Sequence, residues 1–193
     1  MLRKLYDWTM DLASSPRASW ALGIVSFVES SIFPIPPDTL LIPMVVANRR
    51  KAIFYAVLCT VTSVLGGLLG YYIGSALFDQ IAKPILDFYG YGAKFDDFAE
   101  WFNVRGAWIV FIAGITPFPY KVITIASGAT GLGLPVFLVA SILARGLRFG
   151  IVTALLYFWG QPVREFIEKR LGLVFSVFVI LLLGGFVIAK FVF

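Results

Sequence analysis

The sequence predicts an all-α polytopic membrane protein in which two opposed re-entrant helical hairpins and about three full transmembrane helices form an inverted-repeat-like order. Three observations predict it. Of 193 residues, 60% are hydrophobic and only 14% charged, with a mean hydropathy of +0.90, which lies outside the range of soluble domains and suits one compact membrane domain. Ala52–Phe78 runs without a single charge, long enough at ~1.5 Å per residue to span a hydrocarbon core of about 30 Å. Two otherwise apolar stretches are broken by clustered prolines, Pro34, Pro36 and Pro37 in the first and Pro117 and Pro119 in the second. Proline lacks a backbone donor and biases the residue before it away from helix, so neither stretch can be one straight helix. Broken backbone at membrane depth requires burial in protein or a polar cavity.

Residues 1–14 set Arg3, Lys4, Asp7 and Asp11 against Leu2, Leu5, Tyr6, Trp8, Met10 and Leu12, the pattern of a helix lying at the interface. Ser15 and Pro16 are an N-cap and N1 pair. They open a first hairpin over residues 18–48, whose buried turn holds Glu29, Pro34, Pro36, Pro37 and Asp38. No signal peptide is expected, because the first long apolar stretch starts at Ala18 and runs into the turn without a small-residue cleavage site. Arg49-Arg50-Lys51 then precedes the span at 52–78, where Gly66, Gly70 and Gly74 recur on one face and allow another helix, of this chain or of a second copy, to approach closely.

Residues 79–105 carry eight charges among apolar residues and predict an amphipathic linker that does not cross; Phe95, Phe98 and Phe102 share one helical face while Asp96, Asp97 and Glu100 face elsewhere. A second hairpin is predicted over 106–133, broken at Thr116, Pro117 and Pro119, with Lys121 at depth. Spans follow at 134–160 and 171–193. With both hairpins returning to their own side, one face holds Arg3, Lys4, Arg17, Arg49, Arg50, Lys51, Arg164, Lys169 and Arg170, nine basic residues, and the other holds Lys83, Lys94, Arg105 and Lys190, four. The positive-inside rule makes the first face, with the amino terminus, cytoplasmic. The net charge of +5 is thus accounted for by a membrane surface, and nucleic acid is not a predicted partner.

Histidine is absent, which argues against zinc and haem; no cofactor or metal is predicted. The single cysteine, Cys59, lies in an apolar run and reads as a small core residue. Five ionisable residues remain at membrane depth: Glu29, Asp38, Lys121, Arg145 and Arg148. Such groups are costly there and face a protein interior or a cavity. Arg145 and Arg148, three apart on a helix, share a face with Ser141 and can grip a phosphate bidentately. Alternatively, Glu29 and Asp38 neutralise them as a structural core.

Three stretches carry a family resemblance: Glu29 with Phe33-Pro34-x-Pro36-Pro37-Asp38; Gly114-x-Thr116-Pro117-x-Pro119-x-Lys121 with Ser127-Gly128-Ala129; and Arg145-x-x-Arg148-Phe149. Over roughly residues 15–160 the chain resembles the DedA family, relatives of the VTT-domain (SNARE-associated Golgi) membrane proteins. The resemblance implies opposed re-entrant hairpins and movement of a phospholipid or polyprenyl phosphate across the bacterial plasma membrane, with proton coupling through the hairpin acids. Lys121 stands where many members carry arginine. A flippase or scramblase is therefore expected, its headgroup on Arg145, Arg148 and Lys121. A proton-coupled exchanger of small solutes would use the same acids. An integral membrane lipid-phosphate enzyme is disfavoured by the lack of histidine and of nucleophile-base pairs.

Overall fold

Proline placement decides where the helices start and stop. A computed structural model of the chain describes residues 17–31, 36–116 and 118–169. Helix α1 (Ala18–Ser31) ends before the first proline cluster, and α2 (Asp38–Ala47) begins directly after Pro37. The Pro37 carbonyl accepts the amides of Leu40 and Leu41 at 3.0 and 2.9 Å, and the Pro36 carbonyl accepts the amide and hydroxyl of Thr39 at 3.2 and 2.8 Å. Prolines ahead of a helix cost no hydrogen bond, since the first amides have no helical acceptor. Asp38 occupies the first turn of α2, where the helix dipole favours a carboxylate.

The chain then passes through a 3₁₀ turn (Arg49–Lys51) into α3 (Ala52–Leu77). A π turn (Phe78–Ala82) continues it into the short α4 (Lys83–Phe88), beyond the predicted end at 78. After α5 (Gly92–Ile115), Thr116 turns extended (φ −76°, ψ 167°), as a residue before proline must. Helix α6 (Tyr120–Ala129) starts after Pro119, and α7 (Leu134–Lys169) follows with one non-helical residue, Trp159. Pro34 and Pro117 lie outside the described residues. Helices α2 and α6 have ten residues each, or ~15 Å, about half the thickness of a hydrocarbon core.

Among the described residues, three stretches are long and apolar enough to cross a membrane: Arg49–Phe88, Gly92–Ile115 and Leu134–Gly160. The first and third contain the predicted spans at 52–78 and 134–160. The predicted span at 171–193 and the interfacial helix at 1–14 lie outside the described residues. Gly92–Ile115 differs from expectation, because the charges around 94–105 suggested a boundary at 105/106 and the helix runs through it unbroken. Asp96, Asp97 and Glu100 are exposed while Phe102 is buried, so the charges sit on one face without ending the helix. Gly106 is buried against the Leu132 side chain, a close approach that offsets its poor helix propensity.

Helix α3 is the centre of the packing. A Cβ at Gly66 would run into the backbone carbonyl of Phe27 on α1, one at Gly70 into Thr124, and one at Gly74 into the carbonyl of Ile125 on α6. Gly128 of α6 approaches the Tyr71 carbonyl in return. The glycine face is thus filled by both proline-broken units of one chain.

Two apolar clusters result. One joins α1, α2, α3 and α7 through Leu22, Leu41, Met44, Cys59, Phe149 and Leu156. The other joins α5, α6 and the start of α7 through Phe102, Val110, Tyr120, Ile123, Leu132 and Phe137.

Candidate functional site

Between those clusters lies a layer of charge. Arg145, a third of the way along α7, is fully buried at 0% exposure. Its Nε donates to Ser63 Oγ of α3 at 2.6 Å and its Nη2 to Glu29 Oε2 of α1 at 2.9 Å. The Tyr120 ring from α6 and the Phe149 ring one turn along α7 each lie 4.8 Å from its guanidinium carbon. Hydroxyls complete the shell: Ser30 Oγ is 2.7 Å from Ser63 Oγ and donates to Glu29 at 3.1 Å, and Tyr120 donates to Ser141 Oγ at 2.5 Å.

Arg148, one turn further on, forms the second pair. Its Nη2 donates to Asp38 Oδ2 of α2 at 2.8 Å. The two pairs differ in access: the side chains of Arg145 and Glu29 are 0% and 14% exposed, those of Arg148 and Asp38 17% and 24%. Asp38 Oδ1 and Arg145 Nη1 are buried atoms without a hydrogen-bond partner among the described residues.

Four of the five ionisable residues singled out from the sequence are therefore gathered by the fold, in one-to-one pairs across more than a hundred positions of chain. Lys121 is half-buried at the start of α6, beside Tyr120. Of the turn residues, Pro37 is buried and Pro36, Thr116 and Pro119 are half-buried. Sequence reasoning missed Ser63 and Tyr120. Within α3, Thr60 and Thr62 donate back to the carbonyls of Ala56 and Leu58 in their own helix, at 2.7 and 2.8 Å. Ser63 instead reaches across to α1 and α7; in sequence these three hydroxyls look alike. Among the described residues no cluster of metal-ligating side chains forms.

Comparison with known proteins decides the family, for the chain matches the VTT domain over residues 35–158, well over half its length. The chain belongs to the VTT-domain (DedA) family. The matched stretch contains Asp38, Lys121, Arg145 and Arg148, and Glu29 lies just ahead of it. An uncharacterized protein of Haemophilus influenzae is 33% identical over 185 residues, 95% of this chain and 96% of its own. An uncharacterized protein of Histophilus somni is 35% identical over 157 residues, covering 81% and 82% of the two chains. Undecaprenyl phosphate transporter A of Staphylococcus aureus is 23% identical over 146 residues, 70% of this chain and 72% of its own. No solved structure matches. VTT-domain membership and three helices of membrane-crossing length together make this an integral membrane protein.

Proposed function

We propose that this VTT-domain protein moves a phospholipid or a polyprenyl phosphate carrier across the bilayer, as a flippase or scramblase and not as an enzyme. The observation that carries the reading is the half-open Arg148–Asp38 pair beside a buried Arg145–Glu29 pair, where two prolines-broken helices meet α7. A guanidinium offers parallel donors that fit phosphate oxygens. An arriving headgroup replaces Asp38 on Arg148, and the released carboxylate takes up a proton, which couples transport to a pH gradient. The distant relative named as an undecaprenyl phosphate transporter favours the polyprenyl phosphate.

In this reading α1–α2 and α5–α6 are two opposed re-entrant hairpins related as an inverted repeat. Each contains a ten-residue helix too short to cross, and each leans on the glycine face of α3. Transport sites lie where such broken segments meet. The protein sits in the bacterial plasma membrane with its amino terminus cytoplasmic, by the nine-to-four count of basic residues. A bond of 3.4 Å from Arg49 to the Tyr157 carbonyl supports this, since it puts the basic cluster at 49–51 level with the end of the span at 134–160.

The test is reconstitution in liposomes with labelled polyprenyl phosphate and labelled phospholipids, with and without a pH gradient. The reading expects polyprenyl phosphate to move, faster with the gradient; movement of neither lipid overturns it. A second reading is favoured by the one-to-one pairing itself: the four charges sum to zero and serve only to hold α1 and α2 against α7. It expects a variant with both Asp38 and Arg148 made neutral to keep transport.

A further inference from the structure

We infer that Tyr120 is a positioning residue, clamping Arg145 with Phe149 so that Nη1 is held as a fixed donor for one oxygen of an anionic phosphate headgroup. The inference rests on the transport reading and deepens it. A guanidinium is planar and can be approached on two faces and along its edges. Here two rings lie against it, Tyr120 from α6 and Phe149 from α7, each 4.8 Å from the guanidinium carbon. The edge formed by Nε and Nη2 is occupied by Ser63 and Glu29. What remains is the end that bears Nη1, fully buried and without a protein acceptor among the described residues. A charged donor left so is expensive. An anionic oxygen supplied by a ligand satisfies it.

The clamp is itself held. Tyr120 is fully buried, its hydroxyl is tied to Ser141 on the same α7 that carries Arg145, and its ring packs against the α3 backbone where Gly67 has no side chain. Among the described residues Arg148 has one carboxylate bond, to Asp38, and one ring, Phe149, at 5.8 Å. The arginines thereby divide the work: Arg148 exchanges its carboxylate for the headgroup, and Arg145 keeps both its bonds while Nη1 meets an oxygen already delivered.

The test measures binding in detergent, by calorimetry, of a short-chain polyprenyl monophosphate and of its parent alcohol. Wild type should bind the monophosphate more tightly than the alcohol. Tyr120→Phe keeps the ring and loses only the hydroxyl, and should weaken monophosphate binding clearly less than Tyr120→Leu and Phe149→Leu, which should weaken it about tenfold or more, as loss of a desolvated cation–π contact implies. Binding of the alcohol should be unchanged in all three, a split that a general loss of packing would not produce. If Tyr120→Leu fails to fold, Phe149→Leu carries the comparison from the other ring. Unchanged monophosphate binding in a folded leucine variant overturns the clamp. So does Tyr120→Phe weakening as much as Tyr120→Leu, which would assign the effect to the Ser141 bond. Failure of wild type to prefer the monophosphate sinks the polyprenyl phosphate reading beneath it.

Discussion

Arg145–Glu29 and Arg148–Asp38 are the same chemical pair, one helical turn apart, and their surroundings make them different objects. The inner pair is bonded at two guanidinium nitrogens and flanked by two rings, with its arginine fully buried and its glutamate only 14% exposed. The outer pair holds by a single bond of 2.8 Å among the described residues, and both partners are partly exposed. Burial raises the cost of leaving a charge unpaired far more than it raises the net worth of the pair. The inner pair is thus bound to stay together. The outer pair, partly exposed on both sides, separates at less cost than the inner one, which is what a site of exchange requires.

The difference can be attacked from its strongest side. Arg145→Gln strands Glu29 and Ser63 in the interior, and we expect a loss of about 3–5 kcal/mol of stability, the usual penalty for breaking a buried pair; thermal unfolding in detergent measures it. A variant that unfolds within a degree of wild type would place the two pairs in one class.

Ser63→Ala should come next, at about 1.5–3 kcal/mol, since it removes a hydrogen bond to a charged group and leaves Nε buried without an acceptor. The same melts check it, and they should also show that Thr62→Ala, whose hydroxyl only returns to its own helix, costs clearly less.

Asp38→Asn should lower stability by no more than about 1 kcal/mol, because the pair is partly screened, and yet abolish transport in liposomes. Combining it with Arg148→Gln should restore the melting temperature without restoring transport. Recovered transport in the double variant would favour charge balance over headgroup recognition.

The smallest effect on stability belongs to Arg148→Lys, which keeps the charge beside Asp38. We expect melts indistinguishable from wild type together with loss of most transport, because an ammonium cannot present two parallel donors to a phosphate. Full activity in this variant would show that Arg148 acts as a point charge.

The proline-broken helices and the charges at depth were legible because each follows from a local rule: proline removes a donor, and a charge in an apolar run needs a partner. Helices end next to Pro37 and Thr116, and Glu29, Asp38, Arg145 and Arg148 do gather. The unbroken α5 was not legible, since its charges are spread along one exposed face and hydropathy averages over faces. Nor was the use of the α3 glycines: their spacing announces a close approach, but only the packing of Phe27, Thr124 and Ile125 says that the approaching helices are α1 and α6.

By itself, then, the sequence determined that this is a helical membrane protein with two interrupted helices and an interior charge set, because composition and proline act within a few residues. Tertiary structure alone decided which acid faces which arginine, that Ser63 and not Thr62 joins the network, and that Tyr120 covers Arg145. Those contacts join residues tens to more than a hundred positions apart. No periodicity along the chain encodes them, and the exposure that separates a locked pair from an exchangeable one exists only once the helices have packed.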